Sequence, residues 1–212
     1  MKHWMMTTAL TTFMAFASAN AAEETLLASN SKIEHGGFGA ISVTGTRVDG
    51  YSRYMVGGEG AWIINHSFFL GGAGYGLTMG VETNILDTNG AKQYLQMGYG
   101  GILLGTTFNS DRMVHFGVQS IIGAGGYMFS DDKWDETGDA MDHQGRGQGN
   151  MHEESFFVME PQANAELNIT KFMRVKAGIG YRFTWLPSEK NGYEGNDLGG
   201  ICGSLALKFG KF

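Results

Sequence analysis

Residues 173–183 read Met-Arg-Val-Lys-Ala-Gly-Ile-Gly-Tyr-Arg-Phe, apolar and polar or small residues in strict alternation. In a β-strand successive side chains point to opposite faces. Met173, Val175, Ala177, Ile179, Tyr181 and Phe183 therefore share one face, and Arg174, Lys176 and Arg182 the other. The same period recurs at 95–103, 114–122 and 157–167. No segment carries a 3.6-residue period over helical length. A chain patterned in this way must close amphipathic strands around one interior.

About eight such strands are predicted: 38–47, 54–64, 68–79, 93–107, 113–128, 156–168, 172–185 and 199–209. Short turns are expected at Asn65-His66, Asn109-Ser110 and Ile169-Thr170-Lys171, and longer loops at 49–53, 81–92, 130–154 and 186–197. A two-residue hairpin at Asn109-Ser110, where Asn tolerates positive φ, pairs Leu103 with Phe116 and Gly101 with Val118. A three-residue turn at 169–171 pairs Leu167 with Met173 and sets Glu166 against Arg174, with Glu160 diagonal to Arg182. A slip of one residue mixes the faces. Phe68 and Phe69 compete for the outward face after the first turn. Pro161 removes a ladder hydrogen bond in mid-strand, which a local bulge would absorb.

Alternation alone fits two barrels. A soluble, lipocalin-like barrel turns its apolar face inward, and a membrane barrel turns it outward to lipid. Several features favour the membrane. Charged residues are only 17% of the chain, against ~25% in soluble domains. Trp62, Phe69, Phe108, Phe116, Trp185 and Phe209 fall near strand ends, where aromatic girdles belong. The 34 Gly suit a tightly curved wall whose inward positions have no room for bulk. The N-terminus has the form of an export signal, with Lys2 before an apolar run and Ala19-Asn20-Ala21 as a small-x-small cleavage site. The expected division is a signal peptide at 1–21 and a barrel at 22–212. An even strand count with short turns on one side puts both termini in the periplasm. The chain ends on Phe212, which resembles the terminal aromatic read by the outer-membrane assembly machinery, although Phe209 is the residue in phase with Leu205 and Leu207.

The stretches 57–66 (Gly-Gly-Glu-Gly-Ala-Trp-Ile-Ile-Asn-His), 71–77 (Gly-Gly-Ala-Gly-Tyr-Gly-Leu), 97–101 (Met-Gly-Tyr-Gly-Gly) and 208–212 (Lys-Phe-Gly-Lys-Phe) resemble those of uncharacterised small outer-membrane β-barrel proteins of Gram-negative bacteria. The resemblance implies an all-β, antiparallel, up-and-down transmembrane barrel in the outer membrane. It carries no catalytic residues.

On these faces Glu59, Glu160, Glu166, Arg174, Lys176, Arg182 and Lys208 become a polar lumen network, joined by Gln96, Gln119, Gln162 and Asn164. Buried charges must be paired or hydrogen-bonded, and an eight-stranded interior is just wide enough for side chains. A structural lumen is thus weighed against a narrow channel or small-molecule binder. A third class, a lipid-modifying enzyme, needs a base near the rim with an orienting acid. His35, His66, His115, His143 and His152 are available, but none stands in a recognisable motif. The segment 130–154 holds Asp131, Asp132, Asp135, Glu136, Asp139, Asp142, His143, His152, Glu153 and Glu154. Its spacing matches no metal loop, so contact with an extracellular partner is the expectation there, since function concentrates on loops carried by a rigid scaffold. No cofactor and no metal are expected. The net charge of −6 excludes nucleic acid as a partner. Outer-membrane lipids and the assembly machinery are the other expected partners. On the lumen face, Gly178→Ser is expected to cost little.

Overall fold

The computed structural model describes residues 33–48, 51–86, 92–130, 154–187 and 198–212. It contains strands β1 (His35–Val48), β2 (Tyr51–Ile64), β3 (Phe68–Leu77), β4 (Val81–Leu86), β5 (Lys92–Phe108), β6 (Val114–Ser130), β7 (Glu154–Asn168), β8 (Met173–Trp185) and β9 (Gly200–Lys211). All neighbours are antiparallel. β3 and β4 both pair with β5, one after the other along its length. Between them the register slips, from Gly76 opposite Gly98 to Val81 opposite Leu95. They are one stave with two extra residues, pinned at the break by Thr78, whose N–H and hydroxyl both donate to the Tyr54 carbonyl. The wall therefore has eight staves, and β1 closes it by pairing with both β2 and β9.

The stagger of this closure follows from the ladder. Starting at Thr46, the paired residues run Cys202, Gly180, Gln162, Gln119, Gly105, Phe69, Ile63 and back to β1 at Gly36. One circuit returns ten residues short of its start, so the shear number is ten. With ~3.3 Å per residue and ~4.7 Å between strands, eight staves and this shear give a tilt of about 41° and a backbone radius of about 8 Å. Such a lumen is filled by side chains.

The two faces divide as the alternation requires. On β8, Arg174, Lys176, Arg182 and Thr184 are buried, while Ala177, Ile179, Tyr181 and Phe183 are exposed. Ile41, Val43, Val56, Leu70, Ile102, Val118, Ile201, Leu205 and Leu207 continue this exposed apolar belt around the wall. A soluble barrel would have the reverse polarity. Inside, bare glycine positions make room for aromatic rings. A Cβ on Gly57 would strike the Tyr75 ring, one on Gly105 the Phe69 ring, and one on Gly125 the Phe156 ring.

Several registers differ from those expected. The β5–β6 turn spans 109–113, not two residues, so Phe108 faces Phe116 and Leu103 faces Ile121. The displacement is odd, and it reverses β5. Leu95, Met97, Tyr99 and Leu103 point inward, leaving Ile102 and Leu104 outside. Apolar residues occupy both faces of this stave because part of the lumen is itself apolar. The β7–β8 turn spans 169–172, which moves the pairing by two. Leu167 now faces Val175, and Glu166 faces Lys176 rather than Arg174. Faces survive an even displacement. Pro161 needs no bulge: the β7–β8 ladder lapses beside it and resumes in the same register, from Met159 opposite Phe183 to Gln162 opposite Gly180. The loop expected at 49–53 is only two residues, since Val48 pairs with Tyr51. The loop expected at 81–92 is shortened by β4.

Candidate functional site

The seven charged residues read as lumen-facing are all buried inside the barrel: Glu59, Glu160, Glu166, Arg174, Lys176, Arg182 and Lys208. Six stand on β7, β8 and β9, and Glu59 reaches them from β2. Lys176 Nζ donates to both carboxylate oxygens of Glu59, at 2.7 and 2.6 Å, and to Gln119 Oε1 at 3.3 Å. Tyr75 donates its hydroxyl to Glu59 at 2.5 Å. Gln119 Nε2 donates to Gln162 Oε1 at 3.1 Å, and Gln162 Nε2 to Glu160 Oε1 at 2.7 Å. The other oxygen of Glu160 accepts from Arg182 Nε at 2.9 Å and from the Tyr99 hydroxyl at 2.6 Å. A continuous hydrogen-bonded chain thus runs from the β3 wall through β2, β8, β6 and β7 back to β5, across the whole section of the barrel. Gln96 is not part of it, being on the other face of β5 from Met97.

A second cluster lies nearer the short turns. Glu166 accepts from Lys208 Nζ at 2.6 Å and also stands 3.3 Å from His115 Nε2 and 3.6 Å from an Arg174 nitrogen. Aromatic faces take up the rest of this positive charge. Lys208 Nζ is 4.0 Å from the Phe38 ring centre, and the Arg174 guanidinium is 3.9 Å from that of Phe212. A cation over a ring face is attracted by its quadrupole, more strongly where water is excluded. Beyond Arg182 the interior turns apolar, with Val48, Met55, Leu95, Tyr127, Phe156 and Leu198 buried. Arg182 donates to the Leu198 carbonyl at 3.4 Å and to Cys202 Sγ at 3.3 Å, so the lone thiol is a lumen-packing group.

Of the aromatic residues expected at the girdles, Trp62, Phe108, Phe116 and Phe209 are exposed on the outer wall, and Trp185 is half-buried against Phe157 and Phe183. Phe69 is a correction. It is buried inside, edge-on to Phe38 at 5.7 Å between ring centres, while Phe68 takes the outward position. The turn decides this: Asn65 and His66 both adopt positive φ, Ser67 donates to the Ile64 carbonyl, and Ile63 is left opposite Phe69 on the inner face. Phe212 is half-buried, its ring against Arg174 and Phe38.

The histidines form no nucleophile–base–acid set among the described residues. His35 stacks on Trp62. His66, which has no acid near it in sequence, meets Glu34 at 2.6 Å and ties the start of the barrel to the first turn. His115 lies between the Arg112 carbonyl, Glu166 and Arg174, with no hydroxyl for it to activate. His143, His152 and the acidic residues at 131–153 lie outside the described residues, as does the segment read as a signal peptide.

Polarity, strand number and filled lumen together match a known architecture. The fold is that of a small outer-membrane barrel. Neisserial surface protein A is similar over 86% of this chain and 100% of its own, with a TM-score of 0.53 at 9% identity. Two other solved structures align more loosely. The attachment invasion locus protein Ail of Yersinia pestis has a TM-score of 0.48 at 14% identity, covering 83% of this chain and 97% of its own. The N-terminal β-barrel domain of Pseudomonas aeruginosa OprF has a TM-score of 0.44 at 11% identity, covering 82% and 96%. No protein-family model and no curated protein matches the sequence.

Proposed function

We propose that the chain is a non-enzymatic outer-membrane protein of a Gram-negative envelope, in which the barrel is a closed anchor and the long connections carry the contacts. The lumen supports this most directly. Its charges are spent on one another across the full width of the barrel, as in a packed anchor rather than a passage. The apolar belt faces lipid. In this reading the signal peptide at 1–21 is removed, both termini and the turns at 65–67, 109–113 and 169–172 are periplasmic, and the strand ending in Phe209 and Phe212 is read by the assembly machinery. The outer partner meets the segment 130–154, the longest connection between strands. No cofactor and no catalytic residue belong to it.

Protease shaving of intact cells tests this reading. Cleavage should fall between β6 and β7, while the turns containing Arg112 and Lys171 stay protected, because exposed tips are preferred nicking sites. Recovery of the protein as a soluble periplasmic species would overturn the anchor reading. Stepwise conductance of the purified protein in planar bilayers would replace it with a channel.

A further inference from the structure

Among the described residues, three of the buried side-chain oxygens without a hydrogen-bond partner share one row of the wall: Thr44 Oγ1, Ser204 Oγ and Asn164 Oδ1. The ladder places them side by side. Asn164 on β7 pairs with Gly178 on β8, Gly178 with Ser204 on β9, and Ser204 with Thr44 on β1. All three side chains point into the lumen, with relative exposures of 6% (Asn164), 5% (Ser204) and 0% (Thr44). Between them β8 offers only the hydrogen of Gly178. The Asn164 and Ser204 oxygens both approach the point that a Cβ on Gly178 would occupy. They therefore stand within about 5 Å of each other, a span that one molecule bridges with two hydrogen bonds of ~2.8 Å.

We propose that this notch binds an ordered water. A buried polar oxygen left unpaired costs free energy, and a buried water is held where two to four such groups converge on enough room. The set suits a neutral ligand that both donates and accepts. Asn164 Oδ1 only accepts, while the Thr44 and Ser204 hydroxyls do either. An alkali cation is disfavoured, because Lys176 and Arg182 project into the lumen from the same strand. An anion is disfavoured by the acceptor oxygen of Asn164. The place in the wall gives the water a role. The neighbouring row on one side holds Lys176 opposite Glu166, and that on the other holds Gly180 opposite Gln162. The water thus sits between Lys176 and Gln162, two members of one hydrogen-bonded chain, and supplies partners to the row between them.

The test is NMR of the folded protein in lipid nanodiscs, observing magnetisation transfer from water to the Gly178 Hα and Ser204 protons. The expected result is a long-lived water signal at both in the wild type. It should vanish in a Thr44→Val/Ser204→Ala variant that still migrates as a folded, heat-modifiable barrel. Absence of the signal from the wild type, or its persistence in the variant, overturns the proposal. An anomalous-scattering peak at the notch in crystals soaked with bromide or rubidium would overturn it in favour of an ion. Should the double variant fail to fold, Thr44→Val alone, which keeps the side-chain shape, must weaken the signal for the proposal to stand.

Discussion

Replacing Lys176 by Met separates a membrane barrel with a charged lumen from a soluble barrel with a charged surface. Lys176 is fully buried and makes three hydrogen bonds, two of them to Glu59. Methionine fills much of the same volume but strands the Glu59 carboxylate, which keeps only Tyr75 and a long 3.5 Å contact with Gln119. Breaking a buried ion pair from one side costs about 3–5 kcal/mol. The Tyr75 hydrogen bond places the expected loss at the lower end, near ~3 kcal/mol. On a solvated face the same change would stay within ~0.5 kcal/mol. Removing both partners, Glu59→Met with Lys176→Met, leaves no orphan charge, and the double variant should be more stable than Lys176→Met alone. The assay is equilibrium urea unfolding in phospholipid vesicles, followed by tryptophan fluorescence, with the coupling energy read from the double-mutant cycle. A single-variant loss below ~1 kcal/mol, or a double variant no better than the single, would refute the buried-pair reasoning.

Ile179 is exposed on the apolar belt, so Ile179→Arg should lower stability in vesicles by roughly 2–4 kcal/mol if the residue lies near the bilayer midplane; the same titration checks it. Gly57→Ala should abolish the heat-modifiable band, since a Cβ there meets the Gly74 carbonyl and the Tyr75 ring, whereas Gly39→Ala and Gly203→Ala, with open space at the Cβ, should fold as the wild type does. Gly178→Ser, which the polar character of the lumen face suggests is harmless, should instead destabilise, because Asn164 and Ser204 must both turn away to admit its Cβ; the unfolding midpoint of that variant against Gly203→Ser reports this.

Which residues form strands, and which face of β7, β8 and β9 carries charge, was legible because charged and large apolar residues alternate there without a break. β5 departs from the expected faces for a physical reason. Its intervening residues include Gly98 and Gly100, which mark neither face, and Leu95, Met97, Tyr99 and Leu103 all turn inward, Tyr99 with its hydroxyl on Glu160. Periodicity is blind to a displacement of two, so the β7–β8 register could be off by that amount with every side chain still on its proper face. Only turn length fixes the register, and turn length depends on conformations such as the positive φ of Asn65, His66 and Asn109. Asp49-Gly50, by contrast, has the sequence of a two-residue hairpin, and the pairing of Val48 with Tyr51 agrees with it. The site was legible as a list of residues but not as a chain of bonds: nothing local to Glu59 says that its partner is 117 positions away.

That distance bears on how the barrel can close. The pairs Glu160–Arg182 and Glu166–Lys208 are separated by 22 and 42 residues and lie wholly within the C-terminal three staves. A three-stranded sheet of β7, β8 and β9 can satisfy them before the rest of the wall is present. Lys176 cannot be satisfied there, because its carboxylate arrives with β2, which reaches its place only as β1 docks on β9. Until that moment the C-terminal sheet carries an unmatched ammonium, and a half-formed barrel that slid fully into hydrocarbon would take a bare charge with it. Closure of the ring is therefore what pairs Lys176 with Glu59. The pair acts as a latch that favours the closed ring over open sheets in the bilayer, and the seam between β1 and β9 is where a failure of this protein to assemble should first be seen.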